Sequence, residues 1–216
     1  LKNPQRFGME HAYWGPEFDH GEILLFLRNE GISFIEYSDE QLVEKVAELI
    51  AADKIIGWFQ GRMEFGPRAL GNRSILANPR NPAMKDILNN KIKFREDFRP
   101  FAPVILEEDL SRYFEIDRTS PFMLLVADVK KEKRAEIPAV THVNGTARIQ
   151  TINQQQNPLF YKLLHAFKKK TGCPVLVNTS FNVRGEPIVC TPREAYQCFQ
   201  NTGLDCLVMG NCIIEK

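Results

Sequence analysis

The string PLFYKLLHAFKKKTGCPVLVNTSFN, residues 158–182, decides the fold. Leu159, Phe160, Leu163, Leu164 and Phe167 recur at the spacing of one helical stripe, and Lys168, Lys169 and Lys170 sit at the negative end of the helix they define. Pro174 to Val177 then read as a short, apolar strand. The same alternation extends outward. Residues 39–53 repeat apolar side chains at helical spacing and feed an apolar run at 55–59. Further strands are expected near 74–77, 102–106, 122–129, 147–152 and 204–209, and helices over 82–90 and 192–201. Strands mixed with helices, joined by connections too long for a meander, predict an α/β (α+β) fold with a twisted open mixed sheet flanked by helices. A short helical stretch opens at Gly21, and the first 20 residues, with Pro4, Gly8, Gly15 and Pro16 and no period, read as a linker.

Composition narrows the class. The chain has 216 residues, 44% of them hydrophobic and 25% charged, which suits a water-exposed globular domain with a sizeable core. No apolar run approaches the roughly 20 residues of a membrane helix. The five cysteines are odd in number and form no Cys-x-x-Cys pair, so a disulfide framework and a structural zinc site are not expected; buried thiols in a reducing cytoplasm are. Net charge is +1, which argues against a general polycation, but residues 62–99 carry nine basic side chains against four acidic ones.

Three segments carry chemistry. Residues 61–74, from Gly61 to Ser74, follow an expected strand and combine three glycines with Arg62, Arg68 and Arg73. A P-loop needs Lys and then Ser or Thr directly after its second glycine, followed by a helix. Here Asn72-Arg73-Ser74 leads into a strand instead, which leaves a glycine-permitted turn presenting Arg68 and Arg73. Residues 91–103 hold Lys93, Arg95 and Arg99 before Pro100 and Pro103. In extended form Lys93 and Arg95 project to one face and Ile92 and Phe94 to the other, an arrangement suited to a polyphosphate. Phe94, Phe98 and Phe101 are read as core. The third segment, residues 178–187, places Asn178, Ser180 and Asn182 at the end of a strand, where open sheets bind ligands, with Ser180 and Asn182 alternating around Phe181. Of the four histidines, His142 lies nearest a candidate site residue, Arg148.

Taken together, the strings at 61–74, 93–103 and 178–187 resemble the C-terminal region of the NodU/CmcH-type O-carbamoyltransferases of nodulation-factor and antibiotic pathways, over about residues 40–215. The resemblance implies a YrdC-like domain over residues 39–216, with residues 1–38 as a linker and the tail of a missing N-terminal domain. In the YrdC-like threonylcarbamoyl-adenylate synthases, whose fold the resemblance implies, a Lys-x-Arg and Ser-x-Asn pair holds ATP; here those positions are Lys93-x-Arg95 and Ser180-x-Asn182. What the family implies is a two-step reaction, in which ATP and carbamoyl phosphate give carbamoyl-adenylate and a partner domain passes the carbamoyl group to an acceptor hydroxyl. By that resemblance Lys93, Arg99, Arg148 and Ser180 are the catalytic set. Arg68, Arg73, Lys93, Arg95, Asn178, Ser180 and Asn182 bind ATP and phosphate. Magnesium is expected with the nucleotide, and a bound metal ion only in the N-terminal domain, not among these residues.

Two other readings compete. A non-catalytic RNA-binding module has the basic stretch 62–99 as its only support, without the aromatic-glycine signature of single-strand RNA platforms. A nucleotide sensor would keep the phosphate-binding residues without turnover.

Overall fold

The computed structural model describes residues 8–94, 96 and 99–216. Arg95 and Phe98, named above, lie outside the described residues. Among those described, ten strands form one mixed sheet. In chain order the elements are α1 (His20–Asn29), β1 (Ile35–Glu36), α2 (Asp39–Ala51), β2 (Ile56–Phe59), β3 (Arg73–Ala77), α3 (Met84–Leu88), β4 (Ala102–Leu106), α4 (Leu110–Tyr113), β5 (Phe114–Glu115), β6 (Leu125–Val129), β7 (Thr146–Ile152), α5 (Pro158–Thr171), β8 (Val175–Ser180), α6 (Pro192–Gln200), β9 (Cys206–Met209) and β10 (Cys212–Glu215). Their order across the sheet is β1-β10-β9-β2-β3-β8-β4-β7-β6-β5. Only β2 with β9 and β4 with β7 run parallel; the other neighbours are antiparallel.

Local chemistry explains the helix ends. Ser38 with Gln41 and Thr191 with Glu194 form capping boxes at the starts of α2 and α6. Asn157 caps α5, whose first residue is Pro158, and Gly172 ends it at φ 77°, a left-handed conformation glycine adopts at little cost. The apolar stripe read from the sequence is buried, since Phe160, Leu163, Leu164 and Phe167 join the main core. There α5 packs on α2 and on the sheet at β4 and β8, while α6 lies against β2 and β9. Lys168, at the end of that stripe, reaches the buried carboxylate of Asp109 at 2.6 Å instead of solvent.

Residues 8–38 enter differently from the linker reading. Ile23 and Leu27 of α1 are buried in the main core, β1 pairs with β10, and the Ala12 side chain packs with Leu70, Ala102 and Met123. The five cysteines are free, and all but Cys190 are buried. Burial raises the thiol pKa of Cys173 to about 12 and those of Cys198, Cys206 and Cys212 to about 11, which keeps them protonated. Among the described residues no helix is long and apolar enough to cross a membrane.

The register of the four central strands places the site. Asn178 pairs with Leu76 on one side and Ala102 on the other, and Val104 pairs with Gln150. Paired residues, and residues two apart on one strand, share a face. Ser74, Asn178, Ser180, Ala102, Arg148 and Gln150 therefore stand on one face.

Candidate functional site

The loop 61–72 crosses that face and is bolted to it. Asn178 Nδ2 donates to Ala69 O at 3.2 Å and to Gln150 Oε1 at 2.6 Å, and Gln150 Nε2 donates to Leu70 O at 2.8 Å. Tyr13 Oη also donates to Leu70 O, at 3.0 Å. From beneath, Glu64 Oε1 accepts the backbone N–H groups of Leu70 at 2.6 Å, Asn72 at 2.8 Å and Arg73 at 3.4 Å. Gly71 closes the turn at φ 118°, and a Cβ there would lie 2.3 Å from Cδ1 of Phe160. The turn thus needs glycine twice over, for its backbone angle and for the ring beside it.

At the loop's apex Arg68 comes close enough to Arg148 to matter electrostatically. The Arg148 pKa is lowered first by burial and then by the Arg68 charge. Two guanidinium groups so placed repel each other, and the Nε donor of each is buried with no acceptor among the described residues. Arg148 has a weak contact to Met123 Sδ at 3.9 Å. Such a pair is stabilised by an anion between its forks. His142 flanks it, bonded to Thr146 Oγ1 at 3.0 Å, with its pKa lowered by burial and by Arg148. Asn178, on the same face, keeps Oδ1 buried and without a partner among the described residues.

The second cluster lies at the end of β8. Lys93 is 4% exposed. Its ammonium donates to Ser180 O at 2.5 Å, Asn182 O at 2.9 Å and Asn182 Oδ1 at 2.9 Å, with Ser180 Oγ at 3.4 Å. Ser180 Oγ in turn donates to Asn182 Oδ1 at 2.7 Å. Phe181 is fully buried between them, facing Gly57, so Ser180 and Asn182 alternate around it. Lys93 and the Ser180–Asn182 turn therefore meet, and Ser180 stands two residues along the strand face from Asn178.

Several expectations are corrected. Lys93 does not lie on an extended strand: residues Asn89–Lys93 form a wide π turn, and Phe94 follows it in the left-handed region at φ 47°. In that turn Ile92 and Lys93 are both buried, while Phe94, expected in the core, is 55% exposed. Phe101 is buried as expected. Arg73 is not presented to a ligand. Fully buried in β3, it donates through Nη1 to the carbonyls of Gln60 at 2.5 Å and Asn72 at 3.0 Å, and its guanidinium lies 3.7 Å over the Phe59 ring. Burial lowers its pKa to about 10, against the raising effect of Glu64. Arg99 is exposed and ion-paired with Glu96 at 3.1 Å.

Sequence reasoning missed Glu64 and Gln150. The signal for Glu64 was present, since it is the single acid of a glycine-rich loop whose buried N–H groups need an acceptor. Gln150 gave none, because an amide in an apolar strand shows its role only once the strand register is known.

The family model "Carbamoyltransferase C-terminus" matches residues 47–216. Nodulation protein NolNO of Sinorhizobium fredii is 46% identical over 96% of this chain and 31% of its own length. The 3'-hydroxymethylcephem-O-carbamoyltransferase of Amycolatopsis lactamdurans is 40% identical over 80% of this chain and 33% of its own length. The chain thus spans about a third of these curated relatives. Among solved structures, E. coli YciO superposes with a TM-score of 0.57 at 15% identity, covering 81% of this chain and 80% of that one. Full-length HypF, in a phosphate- and nucleotide-bound form, gives 0.52 at 18% identity, over 86% of this chain and 23% of HypF. These two likenesses carry the fold, and the family match carries the assignment: this chain belongs to the carbamoyltransferase C-terminus family.

Proposed function

We propose that this domain binds ATP and carbamoyl phosphate and forms carbamoyl-adenylate, the activated half of an O-carbamoyltransferase reaction. The observation that carries this reading is the Arg68–Arg148 pair, two cations close enough to couple electrostatically, each with a buried Nε donor that lacks an acceptor among the described residues. An oxyanion is the ligand that satisfies both the charge and the donors. Carbamoyl phosphate supplies one. Asn178 and Gln150 fix the loop that carries Arg68. Lys93, Ser180 and Asn182 form the adjoining nucleotide-phosphate subsite, in which Lys93 exchanges an internal oxygen for a phosphate oxygen. Magnesium enters on the nucleotide phosphates.

Water cleaves carbamoyl phosphate to carbamate and phosphate, and a carbamate oxygen then attacks the α-phosphorus of ATP and displaces pyrophosphate, which leaves carbamoyl-adenylate. ATP, carbamoyl phosphate, pyrophosphate and phosphate are all polyanionic, so this chain's residues act by positioning and charge neutralisation, with no side-chain nucleophile. Residues 1–38 are proposed to lead from an N-terminal metal-binding domain that completes transfer to an acceptor hydroxyl. The relatives named above are about three times the length this chain covers, which leaves room for one.

The test is release of pyrophosphate from ATP by the purified chain. Release should depend on carbamoyl phosphate and disappear in Lys93→Ala and Ser180→Ala. Release that survives both substitutions contradicts the assignment. Carbamoylation of an acceptor by this chain alone contradicts the division of labour.

A further inference from the structure

The loop that carries Arg68 is joined by backbone hydrogen bonds from Met63 and Phe65 to Pro16 and Ala12, and its return limb is held by side chains. On that limb the N–H groups of Leu70, Asn72 and Arg73 converge on one side-chain oxygen, Glu64 Oε1, while that of Gly71 donates to Ser74 Oγ. Glu64 is 5% exposed, and its other oxygen, Oε2, has no hydrogen bond among the described residues. A carboxylate in such surroundings is costly to bury, and burial does raise its pKa. Something must offset that cost. The three N–H groups belong to Leu70, Asn72 and Arg73, directly after Arg68, and the outward carbonyls of Ala69 and Leu70 meet the amides of Asn178 and Gln150. The peptides after Arg68 are therefore gripped from both sides, by Glu64 within and by the sheet face without. Gln150 is two residues from Arg148 on that same strand face.

We propose that Glu64 is a positioning residue of the anion site: its carboxylate sets Arg68 opposite Arg148, without touching the ligand. This rests on the anion-site reading above. Glu64 acts as an acceptor of hydrogen bonds, so a glutamine, whose carbonyl oxygen occupies the Oε1 position, keeps the loop in place. An alanine leaves three buried N–H groups without an acceptor, and Arg68 loses its register. An aspartate, shorter by one methylene, reaches fewer of them.

Inorganic phosphate is the probe, titrated calorimetrically into the chain. Glu64→Ala should weaken binding about 10-fold or more, as Arg68→Ala does, while Glu64→Gln stays within about 3-fold of the unsubstituted chain. The decisive measurement is the double variant. In an Arg68→Ala background, Glu64→Ala should add almost nothing, because its effect passes through Arg68. Losses that multiply instead, or a Glu64→Ala chain that binds phosphate normally, overturn the positioning role. If Glu64→Ala does not fold, Glu64→Asp takes its place in the cycle, with folding checked by circular dichroism and the same non-additivity expected. Failure of the unsubstituted chain to bind phosphate overturns the anion-site reading itself, whereas normal binding that is insensitive to Glu64 overturns only this inference.

Discussion

Arg73 and Arg148 are both arginines on central strands, yet they do opposite work. The Arg73 guanidinium is spent on backbone carbonyls and the Phe59 face, and Glu64 is the nearby opposite charge. Arg73→Ala should therefore cost stability, about 3–5 kcal/mol as expected when a buried charge loses its counterpart, read as a fall in the urea midpoint at unchanged slope. Arg148→Ala should do the reverse. It relieves repulsion from Arg68, leaves the urea midpoint nearly unchanged, and lowers phosphate affinity by about 10- to 150-fold, the value of one charge-assisted hydrogen bond of roughly 1.5–3 kcal/mol. His142 reports on the same site without mutation. Its pKa is held down by burial and by Arg148. A bound anion cancels part of the Arg148 field, so the imidazolium becomes less unfavourable and the His142 pKa should rise when phosphate is added. Proton NMR titration of the His142 ring measures this; a fall, or no change at saturating phosphate, contradicts the placement of the anion beside Arg148.

Among the elements, the loop 61–72 and helix α5 depend on glycines for different reasons. At Gly172 a Cβ meets nothing within 4 Å, so Gly172→Ala carries only the left-handed backbone penalty, about 1–2 kcal/mol. At Gly71 the same penalty is joined by a clash with Phe160, and overpacking adds about 1–3 kcal/mol. Gly71→Ala should be the more destabilising in thermal unfolding and should also weaken phosphate binding, whereas Gly172→Ala should leave binding intact. How far the sequence disclosed these elements depends on what each one faces. Helix α5 was legible because one face is buried and the other wet, and β4 because a short apolar run lies between Pro100 and the charged residues after Leu106. The Lys93 turn was not. Alternation of cations with apolar residues fits a strand, and a π turn with Phe94 beyond it produces the same string. Arg73 misled for a related reason: β3 is buried at all five positions, so period two has no solvent face to reveal which way its arginine points. The two-residue strands β1 and β5 have no period to read, and β10 is short and follows β9 through Gly210-Asn211 alone. The candidate site was legible as residue types in three segments, and Lys93, Ser180 and Asn182 do meet. The Arg68–Arg148 pairing required the register of four strands.

Across the whole molecule, charge is nearly balanced at +1, while residues 62–99 carry nine basic side chains against four acidic ones. Affinity for small polyanions should therefore come from the Arg68–Arg148 pair and the Lys93 turn, with limited sensitivity to salt where the guanidinium groups are partly buried. A polycation binding RNA along its surface would instead lose affinity steeply with salt. The chain spans about a third of the longer relatives named above, and carbamoyl activation without transfer is the share proposed for it. The most direct test of that share is calorimetric titration of carbamoyl phosphate into the chain, its Arg68→Ala variant and its Arg148→Ala variant. The account predicts one saturable site per chain, weakened about 10-fold or more by each substitution with both variants folded. Binding of equal strength in all three chains, or no saturable binding to the unsubstituted chain, would contradict it.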